Sequence, residues 1–141
     1  MTGKLPGRIG DTPIIGSGCF ADNDSAAIST TGFGEYIMVV NLAQDIIKRI
    51  QYLNETPQQA TERALESMED KTGGTAGAIV INKYGNIGIS FSSKIMSWAY
   101  QKGETIYYGI EKDDFREENA TQEEKKVVDK YDDRFDEIVE D

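Results

Sequence analysis

The stretch Ser29-Thr30-Thr31-Gly32-Phe33-Gly34-Glu35 restricts what this chain can fold into more than any other. It follows a short apolar run, Ala26-Ala27-Ile28, and precedes an apolar-periodic segment from Tyr36 to Leu53. That is the layout of a strand, a tight turn and a helix start. Two glycines one residue apart let the backbone bend sharply and approach a ligand closely. Amides at a helix start point outward unpaired, so such a turn can hold a carboxylate or a developing oxyanion. Thr31 adds a hydroxyl at its lip. Taken alone, Gly-x-Gly is a weak signal, and a plain helix start capped by Thr30 or Thr31 is the better reading until a second motif supports a site.

A second candidate lies upstream, in Lys4-Leu5-Pro6-Gly7-Arg8-Ile9-Gly10-Asp11. Proline and two glycines make this an irregular loop. Arg8 and Asp11 stand three apart on a backbone free to curl. Such a pair can present a guanidinium and a carboxylate to one small zwitterion, the arginine taking an α-carboxylate bidentately and the aspartate accepting from an ammonium. A local surface ion pair, worth up to about 1 kcal/mol, explains the same two residues.

The charge distribution narrows the classes of function. The chain carries a net charge of −10 over 141 residues. Residues 113–141 account for −8 of it and the rest is nearly neutral. No basic stripe is present to neutralise phosphates, so nucleic acid is not an expected partner. With one cysteine, Cys19, and no histidine, the chain cannot form an internal disulfide, a Cys/His zinc site, or a Ser-His or Cys-His pair. Cys19, in a small-residue run, reads as a buried, inert thiol, and one unpaired thiol suits a reducing compartment. No apolar run approaches the roughly 20 residues of a membrane span, and no signal peptide opens the chain, so a cytoplasmic location is expected.

The remaining elements follow from local rules. Thr12–Phe20 reads as a buried strand or two, thinned by glycine. Val39, Ala43, Ile46, Ile47 and Ile50 define the inner face of one long helix after Glu35. Thr56-Pro57-Gln58-Gln59 is a capping box with proline at the first helical position. Ala60, Ala64, Leu65 and Met68 form the buried face of that helix, Glu62, Glu66 and Glu69 its wet face, and Gly73-Gly74 its end. Gly77–Asn82 and Ile87–Ser92, joined by Lys83-Tyr84-Gly85-Asn86, read as a β-hairpin. Its first strand is nearly all apolar and should be covered on both faces. Trp98 is expected to pack under the last strand. From Thr121 another capping box opens an acidic amphipathic helix with Val128, Tyr131, Phe135 and Ile138 on one face, marginal by itself.

Lys4–Gly18, with its Arg8-Ile9-Gly10-Asp11 core, then Ala21-Asp22-Asn23, then Ser29–Glu35 occur in an order that resembles the plant-type asparaginases, or isoaspartyl peptidases. These are N-terminal nucleophile hydrolases. The likeness runs to about residue 112 and is to the β-subunit. Glycosylasparaginase shares both motifs but is less similar at Glu35, where it usually carries Asp.

The resemblance implies an α+β fold, the αββα sandwich of that class. Residues 1–112 would be the β-subunit-like portion and 113–141 an acidic tail beyond the family's usual end. It implies hydrolysis of L-asparagine and β-aspartyl peptides. Arg8 would bind the substrate α-carboxylate and Asp11 its α-ammonium, with Ile9 and Gly10 between them. Thr31 and Gly32 would form the oxyanion hole, Gly34 would offer a carbonyl to the ammonium, and Phe33 would be a wall residue, with core packing as its other role. No metal or cofactor is implied for this portion. The family's partners would be a small-molecule substrate, the α-subunit portion and a second copy of the enzyme. The family's nucleophile is a threonine opening a strand upstream of the Arg8 loop, and that strand is not in this sequence. Met1 removal would leave Thr2 at the N-terminus, but no strand holds it. The chain alone is therefore expected to be inactive, an incomplete sandwich with exposed sheet edges. A non-catalytic binding module or fragment is the alternative.

Overall fold

The computed structural model describes residues 5–121. The helix expected after Thr121, and Thr2, lie outside them. The chain forms two compact units, divided between Met96 and Ser97.

The first unit is a four-stranded antiparallel sheet in the order β1-β2-β3-β4, with helices against one face. Its strands are β1 (Cys19–Ala21), β2 (Ala26–Gly32), β3 (Ala76–Asn82) and β4 (Ile87–Phe91). The register pairs Ile28 with Val80 and Thr30 with Ala78. Strand alternation then sends Ala26, Ile28, Ala76, Ala78 and Val80 to the helical side, where all are buried. These residues meet Ile37, Leu42, Ala43, Ile46, Ile47, Ala60, Ala64, Leu65 and Met68 in one core.

The opposite sheet face carries Cys19, Ala27, Ser29, Ile79, Ile81, Ile87 and Ile89. Two expectations change here. The apolar strand Ala78–Ile81 is covered by helices on one face only, and Ile81 is 46 % exposed. Cys19 is exposed rather than buried. It pairs with Ser29 on edge strand β1, so it points away from the helices. Only Phe20 of that strand packs on the core. Nor is Thr12–Phe20 a buried strand. Successive turns occupy 12–18, β1 is confined to Cys19–Ala21, and Ile14 and Ile15 are exposed.

The long helix expected after Glu35 is two helices, α1 (Gly34–Val40) and α2 (Leu42–Leu53). Asn41 breaks them in the left-handed conformation, φ 53° and ψ 55°. The break frees the first amides of α2, and loop carbonyls take them up. Ala43 N–H donates to Ser17 O at 3.3 Å and Gln44 N–H to Gly16 O at 2.8 Å. It also rotates the apolar stripe. Val39, expected inward, is 75 % exposed, while Ile37 and Leu42 are fully buried. No threonine caps α1 either; its N-cap is Phe33, with no side-chain cap bond.

Helix α3 (Pro57–Thr72) starts as the sequence indicates, with Thr56 and Gln59 forming both bonds of the capping box. Its first turn lies on edge strand β4. The Gln58 side chain donates to Ile89 O and accepts from Ile89 N–H, both at 2.9 Å, so it occupies that edge as a strand would. A Cβ at Gly88 would strike the Pro57 carbonyl carbon and lie 2.6 Å from Gln58 N. Buried Glu55, just ahead of the cap, is paired with Arg63 at 2.5 Å.

The second unit is a three-stranded antiparallel sheet of β5 (Trp98–Lys102), β6 (Thr105–Gly109) and β7 (Arg116–Asn119). Trp98, Tyr100, Tyr107 and Phe115 form a ring cluster on it, with Tyr100 and Tyr107 stacked at 4.9 Å. So Trp98 does pack, its ring against Gly109 of β6.

Because backbone rather than a flexible side chain opposes it, Gly88→Ala should destabilise the chain by about 1–3 kcal/mol. Urea denaturation should show a lower midpoint with an unchanged slope.

Candidate functional site

Strand β2 ends at Gly32, whose φ of +140° suits only glycine. The turn that follows carries the residues singled out from sequence. Thr31 is exposed, and its hydroxyl has no hydrogen-bond partner among the described residues. Thr30, its neighbour, is a strap: its hydroxyl lies 3.0 Å from Gly18 O and 3.2 Å from Ser17 O, and its amide donates to Gly18 O at 2.8 Å. Phe33 is 54 % exposed and Gly34 is buried.

The Arg8–Asp11 loop meets this same turn at two points. The Arg8 guanidinium donates through Nη2 to Glu35 Oε1 at 2.6 Å. The Asp11 carboxylate sits between two glycines. A Cβ built on Gly34 would lie 2.9 Å from Asp11 Oδ1, and one on Gly18 would lie 2.8 Å from Oδ2. Any side chain at either position would push the carboxylate out. The loop is closed by Asp11 O, which accepts from Ile14 N–H at 3.0 Å and Gly18 N–H at 3.3 Å. Ile9 is exposed, and Gly10 has open space where a Cβ would stand. A guanidinium, a carboxylate and a free hydroxyl thus border one glycine-bearing bend. Such a set can hold the two charged ends of an amino acid and donate to a nearby oxygen.

Three contributors are not apparent from the motifs. Gly18 makes room for Asp11. Glu35 holds Arg8. Tyr36 lies edge-on to Phe33, ring centroids 5.9 Å apart, and covers Gly74. Gly18 lies in a run thinned by glycine, a signal that a backbone or carboxylate comes close there. The Glu35 and Tyr36 contacts have no sequence signature.

Residues 1–110 match the family described as Asparaginase. The chain belongs to the asparaginase family. Among its relatives, a probable isoaspartyl peptidase/L-asparaginase of Drosophila pseudoobscura pseudoobscura is 51 % identical over 111 residues, covering 79 % of this chain and 34 % of the relative. The isoaspartyl peptidase/L-asparaginase of Xenopus laevis is 42 % identical over 110 residues, 78 % of this chain and 35 % of that protein. The isoaspartyl peptidase of Salmonella typhimurium strain LT2 is 39 % identical over 112 residues, 78 % and 36 % respectively. The chain spans about a third of the length of these curated relatives. The helix-and-sheet architecture is compatible with the α+β class of the asparaginase family's N-terminal nucleophile fold. Among the described residues of this asparaginase-family chain, no helix is long and apolar enough to cross a membrane.

The Glu35 carboxyl is held below its ordinary value, first by its own backbone amide and then by the Arg8 guanidinium. A depressed value means that the ion pair is complete above the ordinary range and is lost as pH falls through the lowered one. Side-chain carboxyl NMR should place the Glu35 midpoint below 4.5. Arg8→Gln should move it only part of the way back, since the backbone amide remains. A midpoint at the ordinary value in the unmodified chain would contradict this geometry.

Proposed function

We propose that this chain supplies the substrate-holding part of a hydrolase acting on L-asparagine and β-aspartyl (isoaspartyl) peptides. The observation that carries the reading is the convergence of Arg8 and Asp11 on the Gly32–Glu35 turn. Arg8 takes the substrate α-carboxylate. A guanidinium has five donors, so one arginine can serve more than one acceptor. Asp11 accepts from the α-ammonium, assisted by the Gly34 carbonyl. Ile9 and Gly10 carry the backbone between the two charges, and Phe33 forms a wall. The Thr31 hydroxyl and the Gly32 amide donate to the oxygen of the side-chain carbonyl as it becomes an oxyanion.

The reaction then needs a threonine whose hydroxyl attacks the carbonyl carbon while its own α-amine takes the proton. The carbon–nitrogen bond breaks, ammonia or the second amino acid leaves, and water hydrolyses the resulting ester to give aspartate. Thr2 is the only threonine ahead of Arg8 in these 141 residues, and the Lys4–Asp11 stretch that follows it has the proline and glycines of a loop. The isolated polypeptide therefore binds without turnover. Catalysis requires the α-subunit portion and the nucleophile strand of the family, and the working assembly is a homodimer of such units in the cytoplasm. The sheet face bearing Ile79, Ile81, Ile87 and Ile89 is where the missing half of an αββα sandwich would lie.

Calorimetry on the purified chain should detect L-aspartate binding. Arg8→Ala should weaken it by about 10- to 100-fold, the loss of a charged hydrogen-bonding partner worth about 1.5–3 kcal/mol. Ammonia release from asparagine should stay at background. Aspartate binding that survives Arg8→Ala unchanged would remove the assignment, and turnover by the isolated chain would remove the requirement for a further segment.

A further inference from the structure

The turn that follows β2 has two unlike flanks. Sheet order puts β1 on one side of β2 and β3 on the other. The groups bearing charge come from the loop ahead of β1: Arg8 against Glu35, and Asp11 between Gly18 and Gly34. The other flank is aromatic. Tyr36 lies over Gly74, in the segment leading into β3, where Ala76 pairs with Gly32. Its ring fills the space a Cβ on Gly74 would need, with Cγ and Cε2 2.7 Å from that position. Phe33 stands edge-on to it, and both rings are open to water, 54 % and 37 % exposed for Phe33 and Tyr36. Two large rings left wet beside a polar bend mark a surface suited to an apolar ligand group.

Substrate chemistry gives that surface an occupant. Around the scissile carbonyl of a β-aspartyl peptide, one substituent leads to the charged α-centre and the other is the departing amine. With the α-centre held by Arg8 and Asp11 and the oxygen at Thr31 and Gly32, the departing residue extends over the remaining flank. Asparagine, which releases only ammonia, leaves both rings uncovered. A dipeptide with a large apolar second residue covers them.

We infer that Phe33 and Tyr36 form the receptor for the departing residue, so that β-aspartyl dipeptides ending in an aromatic or large apolar amino acid are preferred over asparagine or β-aspartyl-glycine. This rests on the substrate-holding reading above. Calorimetry with L-aspartate, β-aspartyl-glycine and β-aspartyl-phenylalanine on the purified chain tests both. β-Aspartyl-phenylalanine should bind about tenfold more tightly than β-aspartyl-glycine, as burial of an aromatic side chain provides. Phe33→Ala should reduce that ratio to less than about twofold, and Phe33→Tyr should keep it. Equal binding of the two dipeptides, no binding of either, or a ratio untouched by Phe33→Ala overturns the inference; aspartate binding that is lost in Arg8→Ala would then leave the holding site standing. Absence of aspartate binding in the unmodified chain overturns both.

Discussion

The first unit depends on three consecutive carbonyls, those of Gly16, Ser17 and Gly18. They accept from two separate elements. Thr30 of β2 gives its amide to Gly18 O, and Ala43 and Gln44 of α2 give theirs to Ser17 O and Gly16 O. The fully buried Ser17 hydroxyl lies 3.0 Å from Asn41 Oδ1 and adds a side-chain tie. Each neutral bond contributes only about 0.5–1.5 kcal/mol net, but a buried carbonyl left without a donor costs about 1–3 kcal/mol. The short loop is thus fixed from both sides. Its attachment sets the break between α1 and α2, and the break sets which apolar residues face the core. The same attachment holds Gly18 beside Asp11, so a hydrogen-bonding problem at the start of a helix positions a carboxylate on the far side of the loop.

The sheet is asymmetric for a related reason. Alanines 26, 76 and 78 and glycine 88 lie on the helical side, where close approach matters. Small residues let α3 sit low enough for Gln58 to reach the backbone of Ile89. The branched residues Ile79, Ile81, Ile87 and Ile89 lie opposite, on a face that helices do not cover. A sequence run as apolar as Ala78–Ile81 usually means burial on both sides. Among the described residues of this unit, no helix covers that second face, and Ile81 on it is 46 % exposed.

What was legible in the sequence divides along the range of the forces involved. The capping box at Thr56, the glycine stop of α3 and the hairpin across Lys83–Asn86 depend on neighbours within a few residues, and all are present. Val39, Cys19 and the supposed threonine cap depend on partners distant in sequence. A 3.6-residue period continues through Asn41 on paper; the carbonyls of Gly16 and Ser17 take up the amides that the left-handed break there frees. Cys19 reads as buried because its neighbours are small, but edge position and strand parity decide its side. In the candidate site, the spacing of Arg8 and Asp11 in a glycine-rich loop fits a local ion pair as well, and it is the family resemblance that singles them out. Their contacts with the distant turn are not legible, because Glu35 lies 27 residues from Arg8 and no local pattern announces such a pairing.

That pairing has a consequence for recognition. An arginine waiting for a carboxylate must be kept ordered, or its rotamer entropy opposes binding. Glu35 orders it without removing it from water: the Arg8 side chain is 27 % exposed and Glu35 60 %. Under the proposed reading, an incoming α-carboxylate meets a guanidinium already oriented by another carboxylate. Sharing keeps the Glu35 bond in place while the new charged hydrogen bond adds about 1.5–3 kcal/mol. Asp11 and Glu35 leave the bend with more acid than base, which disfavours a bare carboxylate and favours a ligand that brings its own ammonium. Discrimination then comes from the zwitterion as a whole, with Asp11 and Arg8 acting together. An α-amino acid satisfies both charges at once, and a simple dicarboxylate lacking the amine leaves the Asp11 carboxylate facing no cation of its own.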